Sequence, residues 1–370
     1  MTYGTYPARR AVAERVREHF IRHMDGSAVL PDAASIEALI DAGFWTSLRR
    51  EEGYVPTISL ALVGPDATPH PLRFAERLPL TPSALARVAP AVERPGIHLG
   101  VWMEGGDLSV WGATRVLPPY CLVIEVAAPG LLVVKQYRGG DQTKYANIAV
   151  LEADQVKIVD EQASSLPDCP SLLSSLLGFD TPASWTDSVN VLVQLSVSMR
   201  AHKRGGLLLV VPAGSDRWRD SIVQPIRYQL SPPFSVLADL MRQDTTDRDR
   251  LWHDALGRAV EGIAGLTAVD GATIVTERHE LLAFGAKITR RRGSSPVEQT
   301  TVTEPIEGGI PEVVHPSSLG GTRHLSAAQF VHDQRDAVAL VASQDGRFTV
   351  FAWSPCENMV HAHRVEVLLL

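Results

Sequence analysis

Apolar positions recur first at helical and then at strand spacing. Over 9–24, Val12, Val16, Phe20 and Ile21 recur among charges and predict an amphipathic helix; 35–48 predicts a second. The pattern then shortens to strand-length apolar runs at 58–63, 97–102, 108–111, 121–126, 131–137 and 146–151, separated by Gly and Pro turn signals. This first part is strand-rich with helices at its start. It shows no internal repeat and no low-complexity segment.

Pro167, Pro170 and Pro182 stand among several serines and predict a connector over 164–185, with 172–177 apolar enough to pack as a short helix. The domains are expected at 1–180 and 181–370. After the connector the pattern changes. Val189, Leu192, Val193 and Val197 predict a helix over 188–202, which Arg204-Gly205-Gly206 would end. The run 207–211 is apolar without alternation, as a strand buried on both faces is. Helices are predicted at 233–242, 250–266 and 325–332, and strands at 271–276, 281–286, 337–342 and 347–353. The fold class expected is α/β (α+β): a C-terminal mixed sheet flanked by helices, preceded by a strand-rich α+β domain.

Composition narrows the function classes. The 370 residues carry a formal net charge of −7, with 45% hydrophobic and 21% charged residues. That balance argues against a DNA or RNA binder, which needs a basic surface, while leaving room for a local anion pocket. Cys121, Cys169 and Cys356 form no CxxC pair, so no zinc signature or disulfide framework is read. The charged opening lacks the apolar core of a signal peptide, and no apolar run reaches the length of a membrane span. A cytoplasmic protein without a membrane partner is expected.

Three short motifs stand where strands or helices begin or end. Asp270-Gly271-Ala272 precedes a strand, Gly320-Gly321-Thr322-Arg323-His324 opens a helix, and Ser343-Gln344-Asp345-Gly346 forms a turn between strands. A carboxylate at a strand edge can hold a divalent cation or take a proton from a ribose hydroxyl, and a glycine beside it permits close backbone approach. Gly-Gly-Thr entering a helix presents free N–H groups to a phosphate, with Arg323 and His324 as charge-assisted donors. Each motif alone also serves as an ordinary turn or cap.

In order and setting, the segment 185–353 resembles the diadenylate cyclase domain family. The resemblance is carried by SVNVLVQLSVSMRAHKRGGLLLVV, VDGATIV, LLAFGAKI, GGTRHLSAAQFV and DAVALVASQDGRFTVFAW. It implies that Asp270 coordinates Mg or Mn near the attacking 3′ hydroxyl, that Gly271 and Ala272 line the nucleotide, and that Gly321, Thr322, Arg323 and His324 hold the phosphates. Ser343 and Asp345 would flank phosphates and metal. Such domains face one another, so the resemblance also implies a homo-oligomer.

The chain departs from the pattern at three places. Leu325 stands where the family has a second arginine. The Ser343–Gly346 turn is shorter. Insertions at 243–250 and 290–318 separate the motifs, the latter with Arg290-Arg291-Arg292. The resemblance is therefore to the divergent branch described as probable sensor domains, and an adenine nucleotide or cyclic dinucleotide is the expected partner. An active cyclase and an assembly protein with an empty pocket are the competing readings. His98, Trp102, Glu104 and Trp111 read as core tryptophans and a turn glutamate, with a base-stacking site as the alternative. His361 and His363 read as surface residues near the chain end, Arg290–Arg292 as a solvated run, and Trp218 with Arg219 as a base contact under the resemblance.

Overall fold

The computed structural model describes residues 4–24, 30–139, 145–160, 190–244 and 248–370. The chain divides into two compact units, residues 1–160 with 370, and 161–369. The connector expected at 164–185, its short helix and the 180/181 boundary lie outside the described residues.

In the first unit, α1 (Arg9–His23), α2 (Ala33–Ser47) and α3 (Pro82–Val92) pack on an eight-stranded mixed sheet. Its strands are β1 (Ile58–Leu62), β2 (Leu72–Pro79), β3 (His98–Glu104), β4 (Asp107–Thr114), β5 (Leu122–Ala128), β6 (Leu131–Tyr137), β7 (Tyr145–Glu152) and β8 (Gln155–Ile158). The order is β2-β4-β3-β1-β5-β6-β7-β8. Only β1 and β3 run parallel, with α3 as the crossover between them. The first helix buries Val12, Val16 and Phe20, the spacing that the sequence shows. Asp32 caps α2 by accepting from the Ser35 amide. The opposite face holds Ala61, Val63, Trp111, Cys121 and Val123.

The second unit is built on nine strands: β9 (Gly206–Val211), β10 (Tyr228–Phe234), β11 (Ala272–Thr276), β12 (Leu281–Ala286), β13 (Thr300–Thr303), β14 (Glu312–Val314), β15 (Val338–Ala342), β16 (Phe348–Ser354) and β17 (Met359–Arg364). They order as β10-β12-β11-β9-β15-β16-β17-β13-β14, with parallel pairs β9/β11 and β13/β17. Helices α4 (Val191–Ala201), α5 (Val236–Met241), α6 (Arg250–Leu266) and α7 (Thr322–Asp333) cover the sheet. The continuous apolar run of β9 has the double burial that it predicts. Leu207, Leu209 and Val211 face the core under α7, while Leu208 and Val210 face the core under α4 and α6.

The structure corrects several element boundaries. The helix expected over 233–242 is only Val236–Met241, because Pro233 and Phe234 finish β10. Pro233 lacks the amide that a ladder requires, and an edge strand tolerates that loss. The pattern did not reveal β2, α3, β8, β10, β13 or β14. His361 and His363 are not surface groups: they alternate on β17, 0% and 4% exposed. Burial lowers the His363 pKa to about 3.

Candidate functional site

Strand register brings the motifs together. Ala342, the last residue of β15, pairs with Gly206, the first of β9. The start of β11 lies beside β9 in parallel, and Ala272 pairs with Ala286 at the end of β12. The Asp270 turn, the Arg204-Gly205-Gly206 turn and the Ser343–Gly346 turn therefore occupy one end of the sheet. From the first turn of α7, Arg323 reaches the same place. A Cβ placed on Gly205, whose φ is +70°, would stand 2.7 Å from the Arg323 Nη1 and 3.3 Å from the Ala342 carbonyl oxygen. The absent side chain makes the guanidinium's bed. Arg200 steadies the third turn, donating from Nε to the Gly346 carbonyl at 2.9 Å.

The charges there are mixed but mostly positive. The exposed Asp270 carboxylate is ion-paired to Lys287, just beyond β12. The Lys287 hydrogen bond and charge, with a smaller contribution from Arg323, hold its carboxyl below the usual range. Burial lowers the His202 pKa, and Arg204 and Arg323 lower it further. Lys287 and Arg323 thus act on one carboxylate, with Arg204 beside His202 at the same end, a setting that favours an anion.

The other expected residues divide into those that face outward and those that build the fold. Gly321 is the N-cap of α7 and has no neighbour within 4 Å of where its Cβ would be; Thr322 is exposed beside it. His324 turns inward, 3% exposed, under Gly320 and edge-on to Phe351. Burial lowers its pKa, so the neutral imidazole is favoured over the charged phosphate donor read from the sequence. Ala272 is fully buried. Gly271, at φ +118°, lies against the Gly285 backbone and closes the β11/β12 pair. Ser343 is half-buried, and its amide donates to the Arg347 carbonyl. Leu325 is 39% exposed where the resemblance expects a guanidinium.

These donors do not make a preformed divalent-cation site. Asp270 is held by Lys287 and Asp345 by Arg347, 3.5 Å away. Among the described residues, no group of three His, Cys, Asp or Glu side chains converges. A hard cation needs several oxygen ligands.

Four residues at this end were missed in the sequence: His202, Arg204, Gly205 and Lys287. The Arg-Gly-Gly stop and the lysine of LLAFGAKI were visible there, but only strand register brings them to Asp270. The Trp218 indole lies in the core, 3% exposed, rather than at a base site. In the first unit Trp111 is core: its Nε1 donates to the Val63 carbonyl and its ring fills the space where a Gly100 Cβ would be. Trp102, by contrast, is 37% exposed against Gly64.

Comparison with known proteins points to the other unit. Residues 25–115 match the family model described as "Probable sensor domain DACNV". That is about a quarter of the chain, and it spans α2, α3 and β1 to β4, the part to which the sequence assigned no role. No curated protein matches. Among solved structures, a double mutant of DacA from Staphylococcus aureus is 16% identical, covering 46% of this chain and 83% of that one. Its TM-score of 0.23 is too low to carry an argument. No helix among the described residues is long and apolar enough to cross a membrane.

Proposed function

We propose that the chain is a nucleotide-responsive sensor. In this reading its second unit binds the phosphates of an adenine nucleotide or cyclic dinucleotide at the Asp270 end of the sheet, with little or no turnover. The observation that carries the reading is the seating of the Arg323 guanidinium over Gly205, beside Asp270 and Lys287. Arg323 and the exposed amides at Gly321 and Thr322 would bind phosphate, and Lys287 would release Asp270 to take it. The family match on residues 25–115 supports the sensor part of the reading. Retained catalysis is disfavoured because Leu325 contributes no charge and the carboxylates are already paired with cations.

The test is calorimetry with ATP and cyclic di-AMP, together with mass spectrometry of products formed with Mg²⁺ or Mn²⁺. Arg323→Ala is expected to weaken binding at least ~10-fold, the scale of one charge-assisted hydrogen bond. Unchanged affinity would remove Arg323 from the site. Formation of cyclic di-AMP, abolished by Asp270→Asn, would replace the sensor with a cyclase.

A further inference from the structure

A second concentration of arginines lies in the same unit, at the end where α7 finishes and β15 begins. Helix α7 has 12 residues, so its two ends stand about 18 Å apart. A cavity of about 520 Å³ opens there, lined by Arg217, Arg291, Arg292, Arg335 and His332. It joins three segments distant in sequence: the turn after β9, the 291–294 turn, and the loop from α7 to β15. The basic run read from the sequence as a solvated loop is one wall of it.

The walls are held in place. The Asp333 side chain is wholly buried and accepts from the Arg291 amide at 2.8 Å, from the Ser294 hydroxyl, and from the Gln329 amide at 3.0 Å. That carboxylate ties the 291–294 turn to the end of α7. Gln334, 4% exposed, donates to the Ser221 hydroxyl at 2.9 Å and ties in the segment that carries Arg217. The Arg335 guanidinium lies 3.9 Å from the centre of the Trp353 ring. Arg291 stands 4.0 Å from Asp220. Arg217 and Arg292 make no ion pair among the described residues. Asp333 and Asp336 also line the cavity and Asp220 faces Arg291, so the four guanidiniums outnumber the nearby carboxylates by one.

We infer that this cavity is a second anion site, distinct from the Asp270 end, and that it takes a compound with two or more linked phosphates. Guanidinium forks match phosphate oxygens in pairs, and Arg217 and Arg292, which have no carboxylate partner among the described residues, supply two such forks beside Arg335. The volume exceeds what a single phosphate fills, and Arg335 fixed on Trp353 offers a rigid anchor. Both inorganic pyrophosphate and the diphosphate of a nucleotide carry this chemistry.

The experiment uses the full chain carrying Arg323→Ala, so that the Asp270 end is already weakened. Pyrophosphate and ADP are titrated calorimetrically at low and moderate salt. The expected result is one site whose affinity falls at least ten-fold when Arg217→Gln and Arg292→Gln are added. A charge-matched pair elsewhere on the unit, Arg250→Gln with Arg258→Gln, should leave affinity within two-fold. Tighter pyrophosphate would name the inorganic anion as the ligand class, and tighter ADP the nucleotide; either supports the site. No binding in the Arg323→Ala background, or equal loss in the two pairs, would overturn it. Neither result bears on the first site, which is tested by Arg323→Ala alone.

Discussion

Gly271 and Gly321 both belong to motifs read as nucleotide-binding, yet the structure predicts opposite consequences for replacing them. A Cβ on Gly271 would stand 2.5 Å from the Gly285 carbonyl carbon and 2.8 Å from the Ala286 oxygen, both backbone atoms, at a φ of +118°. The dihedral alone costs an L-residue about 1–3 kcal/mol. Forcing β11 and β12 apart adds about 1–3 kcal/mol, the usual scale of overpacking. Gly271→Ala should therefore destabilise the second unit by about 3 kcal/mol. Gly321, at φ −75° with open space around it, should lose at most about 1 kcal/mol as alanine, since only its capping preference is affected. Hydrogen exchange of peptides covering 272–286, with a urea series, measures both, and peptides from 122–134 report the first unit as control. Gly321→Ala should instead register in nucleotide affinity, because its methyl group covers amides that the proposal assigns to phosphate. A Gly271→Ala protein as stable as Gly321→Ala would refute the packing argument and return Gly271 to a ligand role.

Three further outcomes follow from charge and burial. Cyclic di-AMP affinity should change less than two-fold between EDTA and millimolar Mg²⁺, because the carboxylates at the site are occupied by Lys287 and Arg347; a ten-fold metal dependence measured by calorimetry would restore a cation to the site. In the folded protein a thiol reagent should label the exposed Cys356 and spare Cys121, which is buried and whose pKa burial raises to about 12; peptide mapping that finds Cys121 modified first would contradict the fold of the first unit. Burial lowers the His98 pKa from 6.5 to about 4, with Glu125 and Lys135 acting in opposite senses, so its neutral form stabilises the first unit fully above pH 6.5 and that contribution, on the order of 3 kcal/mol, is lost as pH falls through 4. Urea unfolding between pH 7 and 4 should therefore be flatter for His98→Gln, and an equal slope in both proteins would count against burial as the cause.

What the sequence revealed of the fold is what periodicity encodes. The helices at 9–24 and 250–266 and the strands around 131–137 and 281–286 carry strong patterns, because each buries one face or both. Elements at the edges of the sheets were silent. The burial of β2 follows no alternation, β14 is three residues long and largely exposed, and β10 carries two prolines in succession, which read as a break. Their stability comes from a single neighbouring strand, which leaves little constraint on which side chains they show. The burial of His361 and His363 was hidden for a different reason. β17 looks terminal in sequence but is interior in the sheet, paired on one side with β16 and on the other with β13, a strand from the insertion at 290–318.

The site was legible as separate motifs and illegible as an arrangement. Asp270, Gly321 and Arg323 stand out only in combination, because Asp-Gly-Ala followed later by Gly-Thr-Arg-His is specific where either motif alone is an ordinary turn or cap. Lys287 and Gly205 do not, since a lysine after a strand and a glycine after a helix have many. Only the pairing of Gly206 with Ala342, and of Ala272 with Ala286, sets the Lys287 ammonium against Asp270 and the Arg323 guanidinium over Gly205. That pairing changes the chemistry read from the same letters. A carboxylate expected to hold a metal is ion-paired with Lys287 at the surface, and a histidine expected to bind phosphate is folded beneath the turn that displays it. At the far end of α7, Asp333, for which the sequence offered no reading, is a buried side chain. Its hydrogen bonds tie the backbone of the 291–294 turn to the helix end, while Arg291 and Arg292 stay exposed at the cavity wall.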